Sequence, residues 1–116
     1  MSAIVTSDQG EDWYTNSFTW QTILDRAFSG LDERQADEYR AYANTVGADF
    51  ELMPARIRPE VARWLLSTVE ELLGPAGGEY GWDKPNDQQH LGGLASMLRR
   101  MAEGEGGASG ATEGLA

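Results

Sequence analysis

Apolar residues recur at helical spacing in four stretches of the chain. Trp20, Ile23, Leu24, Ala27, Phe28 and Leu31 fall on one face of a 3.6-residue turn, which predicts a first helix over residues 18–28. Asn16 or Ser17 can cap its start, and Gly30 can end it in a left-handed conformation. Ala36, Tyr39, Tyr42, Ala43 and Val46 predict a second helix over 33–46. Asp32 suits its N-cap, Gln35 completes a capping box, and Gly47 is a natural stop. The third stripe is the widest, with Val61, Ala62, Leu65, Leu66, Val69, Leu72 and Leu73 on a helix over 59–73. Pro59 fits its first turn, and Gly74-Pro75 ends it. Leu91, Leu94, Ala95, Leu98 and Met101 predict a fourth helix over 88–102, capped by Asn86 or Asp87. Inside it, Gly92 and Gly93 each cost about 1 kcal/mol relative to alanine. The pair marks either a close approach by a neighbouring group or a frayed first turn.

No segment reads as a strand. The expected fold class is therefore all-α, a small four-helix bundle-like domain over 17–102. An extended acidic N-terminal arm, 1–16, precedes it, and a disordered Gly-rich C-terminal tail, 103–116, follows. The third helix is expected at the centre. The loop over 47–58 carries Phe50, Leu52, Met53 and Ile57, so it should pack onto the core, whereas the loop over 74–86 is irregular and aromatic.

Charge changes this picture. Nineteen acidic residues face nine basic ones, for a net charge of −10. Residues 1–16 and 31–50 each carry −3, against −1 over 51–73, so the acidic surface is expected on the arm and the second helix. Such a surface disfavours direct binding to nucleic acid or to anionic membranes, which need basic groups to meet phosphate. No apolar run is long enough to span a membrane, and the N-terminus lacks a basic region with a greasy stretch after it. With no cysteine, disulfides and thiolate metal sites are excluded, and the expected location is cytoplasmic.

The catalytic inventory is thin: one histidine, one lysine and no cysteine. His90 has Asp87 three residues before it and Asp83 nearby, but a metal site needs three or four convergent ligands. Asp87 as a helix cap explains the same residues without a metal. Glu70 and Glu71 are adjacent and point about 100° apart on a helix, unlike an acid–base pair. The run Gly77-Gly78-Glu79-Tyr80-Gly81 lacks the lysine and hydroxyl of a phosphate loop. No catalytic residue, metal ligand or cofactor motif is assigned.

The aromatic residues carry more. Trp13 and Tyr14 sit in a polar segment beside Glu11 and Asp12. They either fold back over an apolar patch or stand exposed for a partner, and packing takes precedence because small cores recruit large rings. Arg99 and Arg100 suit the end of the fourth helix and can pair internally with the acidic second helix.

The chain therefore reads as a small acidic, non-enzymatic interaction module that binds a basic partner protein, in the manner of an inhibitor, an immunity or antitoxin-like protein, or an adaptor subunit. Trp13, Tyr14, Glu33, Asp37 and Glu38 are its candidate partner-binding residues. The alternative is a small-molecule or peptide binder with an aromatic pocket lined by Trp20, Tyr80, Trp82 and His90. An enzyme ranks last. A homo-oligomer through Tyr39, Tyr42 and Trp64 stays open, opposed by the net charge.

Overall fold

Burial alternates residue by residue over 2–7 and again over 12–16, within the stretch expected to be an extended acidic arm. The computed structural model describes residues 2–103. In it β1 (Ser2–Thr6) and β2 (Asp12–Asn16) form an antiparallel hairpin with Ile4 opposite Tyr14 and Val5 opposite Trp13. Ala3, Val5, Trp13 and Thr15 turn inward, while Ile4, Asp12, Tyr14 and Asn16 turn out. The turn is built by Ser7, a buried residue. Its hydroxyl accepts from the backbone N–H groups of Gln9 and Glu11, both at 3.1 Å. Gly10 supplies the positive φ of 82° that closes the turn.

The fold is thus α+β, and the all-α helical bundle expected above is incorrect. The error begins in this hairpin, because its two strands are only five residues each, short runs of β-branched and aromatic residues (Ile4-Val5-Thr6 and Trp13-Tyr14-Thr15) with no helical period. A search for the helical period passes over that pattern.

The chain divides into two units, Met1–Met53 and Pro54–Ala116. In the first, α1 (Ser17–Ser29) follows β2 directly, with Asn16 accepting from the Thr19 N–H at 2.7 Å as its cap. Gly30 ends α1 in a right-handed conformation, φ −90°, instead of the left-handed one predicted. Asp32 caps α2 (Glu33–Arg40) through the Gln35 N–H at 2.8 Å. The Gln35 side chain donates to the Tyr39 hydroxyl at 3.4 Å.

α2 stops at Arg40, six residues short of the expected end. Residues 43–49 instead form a second small hairpin, β3 (Ala43–Asn44) and β4 (Gly47–Asp49). β4 pairs parallel to β1, which gives a four-stranded sheet in the order β2-β1-β4-β3. Gly47, expected as a helix stop, has φ +135° and lies against the Ile4 backbone where a Cβ would overlap the carbonyl. Only glycine satisfies both constraints. α1 covers the inner face with Trp20, Ile23, Leu24 and Ala27, and Trp20 is fully buried. Its indole N–H donates to the Asn44 carbonyl at 2.7 Å, tying α1 to β3.

The hydrogen-bond phase of β1 fixes which edges are open. The Ser7 N–H donates to the Glu11 carbonyl at 2.7 Å, so the odd-numbered residues of β1 face β2. The Ile4 N–H donates to the Val46 carbonyl at 3.1 Å, and the Phe50 N–H to the Thr6 carbonyl at 2.8 Å, so the even-numbered residues face β4. By the same phase the backbone N–H and C=O groups of Asp12 and Tyr14, and the N–H of Asn16, point away from β1, at the outer edge of the sheet.

In the second unit α3 (Arg58–Leu72) and α4 (Pro85–Ala102) form an antiparallel helical hairpin, joined by a 3₁₀ helix over Pro75–Tyr80. Val61, Ala62, Leu65, Val69 and Leu72 of α3 are buried, as are Leu91, Leu94, Ala95, Leu98 and Met101 of α4. The Arg63 guanidinium donates to the Ala102 carbonyl at 2.9 Å and satisfies one of the orphan acceptors at the end of α4. α4 starts at Pro85, with Lys84 at its N-cap making no side-chain bond, so neither Asn86 nor Asp87 caps it. Gly92 lies inside α4, and a methyl group added there would meet nothing within 4 Å, so no close approach explains it. Within this unit Arg99 pairs with Glu70 of α3 at 3.2 Å. The tail expected from residue 103 lies outside the described residues beyond Glu103 itself.

Candidate interaction surface

The sheet has an outer face opposite α1, and its in-register neighbours sort into two rows. Ile4 lies between Tyr14 on β2 and Gly47 on β4. Thr6 lies between Asp12 on β2 and Asp49 on β4. One row is therefore apolar and aromatic, and the next, two residues along, is acidic. Strand geometry puts the rows about 7 Å apart and sets the two carboxylate-bearing strands about 10 Å apart across β1.

Large apolar side chains are exposed here. Tyr14 is 58% exposed, Val46 69% and Leu52 82%, too much surface for a residue whose role is packing. Ile4, Val46, Leu52 and Asp49 line a shallow groove of about 450 Å³ within this first unit. The unit holds ten acidic residues against Arg26, Arg34 and Arg40, a net charge of −7 out of the total −10.

Asp12 organises the acidic row. One carboxylate oxygen accepts from the Thr6 hydroxyl at 2.7 Å and the other from the Tyr14 hydroxyl at 3.1 Å. Asp12 thus holds the Tyr14 hydroxyl above its ordinary pKa of 10.0, first through that hydrogen bond and then through its charge. The ring of Tyr14 is fixed on the outer face with its proton retained. Asp49 accepts from the Glu51 N–H at 3.0 Å, which orders the chain as it leaves β4.

Strand alternation separates the first two candidate partner-binding residues. Trp13 turns into the core, 8% exposed, while Tyr14 projects from the opposite face. Glu33, Asp37 and Glu38 are exposed on α2. Asp37 is paired with Arg40 at 2.6 Å, and the Arg40 guanidinium also lies 5.3 Å from the centre of the Phe28 ring. That ion pair is largely exposed, which limits it to a few tenths of a kcal/mol.

The residues of the alternative aromatic pocket fall in both units. Trp20 is fully buried in the first, with no ring surface left for a ligand. Tyr80 and Trp82 are together in the second, ring centres 5.1 Å apart. The Gln88 amide donates to the Trp82 carbonyl at 2.6 Å and anchors that loop to α4. His90 is exposed on α4, and its pKa is lowered from 6.5 by lost hydration, with the Asp87 charge acting in the opposite direction. Among the described residues no three His, Asp or Glu side chains converge as metal ligands. No helix among them is long and apolar enough to cross a membrane.

Ile4, Asp12, Val46, Asp49 and Leu52 are surface residues that a helical reading does not find. The signal for the first two is in the sequence. The β-branched run Ile4-Val5-Thr6 and the aromatic run Trp13-Tyr14-Thr15 are both strand-forming, and Gly10 lies in the turn between them. No protein-family model, curated protein or solved structure matches the chain.

Proposed function

We propose that the chain is a non-enzymatic interaction module whose acidic first unit engages a basic partner protein. Inhibitor, immunity or antitoxin-like protein and adaptor subunit are the roles within this class. One observation carries the reading: exposed Ile4, Tyr14, Val46 and Leu52 lie beside Asp12 and Asp49 on a unit of net charge −7. Apolar anchors supply the affinity of protein interfaces, and complementary charge speeds the encounter and rejects wrong partners. The exposed acids of α2, Glu33, Asp37 and Glu38, extend the same field. The proposed setting is the cytoplasm, since a chain without cysteine has no disulfide framework of the kind small secreted domains use.

The test is retention on the immobilised full chain across a salt series, beside Tyr14→Ser and Glu33→Lys/Glu38→Lys variants. The expected result is a basic protein retained at low salt, released as salt rises, and bound more weakly by at least one variant. Retention no greater than that of an unrelated protein of equal charge, or equal retention by all three chains, overturns the reading.

A further inference from the structure

We infer that β2 is a receiving edge, and that the partner adds to it as a fifth, extended strand running antiparallel to β2, with a lysine or arginine opposite Asp12 and a large apolar residue opposite Tyr14. The inference rests on the reading of the chain as an interaction module and names the site and the chemistry of what it binds. β2 ends the sheet order, and the backbone groups of Asp12 and Tyr14 and the N–H of Asn16 face outward from it. A strand edge of this kind is satisfied by another extended chain, whose main chain supplies affinity and whose side chains set the register.

The outer face states which side chains those are. A residue added opposite Asp12 stands beside the acidic row of Asp12 and Asp49, and one added opposite Tyr14 stands beside Tyr14 and Ile4. These positions are two residues apart, the spacing at which an extended chain presents successive side chains to one face. The segment that fits therefore alternates basic and large apolar residues at every second position. Charge argues against a second copy as the occupant, since pairing β2 with itself brings together two units of net charge −7.

The probe is a synthetic peptide of about eight residues, the common length of a strand, with the sequence Lys-Thr-Val-Thr repeated twice. It is titrated into the isotope-labelled full chain. Saturable shifts are expected at the amides of Asp12, Tyr14 and Asn16, with affinity reduced about fivefold in Asp12→Lys, the scale of one cross-strand pair. Methylating the peptide nitrogens of Lys and Val should weaken binding tenfold or more, about the loss of two backbone hydrogen bonds. Methylating those of Thr should leave it unchanged.

If methylation at Lys and Val does not weaken binding, strand addition is wrong while the acidic-module reading survives, because charge alone then holds the peptide. If the peptide does not bind, the inference fails, and the retention experiment judges the broader reading separately. If the β2 amides move with protein concentration alone and the chain doubles in mass, the edge belongs to a second copy and the inference fails.

Discussion

Gly47 and Ile4 stand in register on β4 and β1 so closely that a side-chain carbon on Gly47 would overlap the Ile4 carbonyl. The same glycine has φ +135°, a region that L residues rarely adopt. Gly47→Ala should therefore unpair β4 from β1 and destabilise the fold by about 3 kcal/mol or more. Urea unfolding measures the loss, and amide exchange at Ile4 and Thr6 should rise most. A change below about 1 kcal/mol, the scale of an ordinary point substitution, would mean that the parallel pairing contributes little.

Trp20→Phe removes the indole N–H that donates to the Asn44 carbonyl. The lost hydrogen bond and the lost ring volume together should cost about 2–4 kcal/mol. Trp20→Leu should cost more, since it gives up the aromatic ring altogether. Chemical denaturation orders the two variants, and equal stability of Trp20→Phe and wild type would show that the α1–β3 tie is not needed.

These two residues also show what the sequence could and could not reveal. Trp20 lies on a long apolar stripe, and that stripe places α1 correctly, as the stripes ending at Leu73 and Met101 place α3 and α4 to within a few residues. Gly47 is the opposite case. A glycine after an apolar run is the usual end of a helix, and here it permits a strand to approach another. The pattern over Tyr42, Ala43 and Val46 fits a helical face, yet Val46 is 69% exposed because pairing with β1 across a long stretch of chain overrides local preference. The candidate surface is half legible. Tyr14 can be named from its polar setting, but its neighbours Ile4 and Asp49 come together only through that long-range pairing.

Gly92→Ala should stabilise the protein. The position is inside α4, and an added methyl meets nothing within 4 Å. Replacing glycine by alanine in a helix interior gains about 0.5–1 kcal/mol. Thermal unfolding should shift upward by a few degrees, and a downward shift would reveal an obstacle at that face.

His90 is the sole histidine, so its imidazole can be followed alone by NMR. Its midpoint should lie below 6.5, because partial loss of hydration disfavours the charged ring. Asp87→Asn removes the opposing charge and should lower the midpoint further. The folded state then binds this proton less tightly than the unfolded chain. The group's contribution is constant above 6.5 and turns against folding as pH falls from 6.5 through the folded value. A midpoint at or above 6.5 contradicts this account.

The parallel pairing of β1 with β4 also sets an order of events during synthesis. β1 and β2 leave the ribosome together and can close their hairpin early, since the turn at Ser7 is local. The other side of β1 has no mate until Gly47–Asp49 has been made, after α1 and α2. For that interval the nascent hairpin has two open sides instead of one, and a slow stretch of translation between Ser17 and Val46 would prolong its exposure to chaperones or to neighbouring chains.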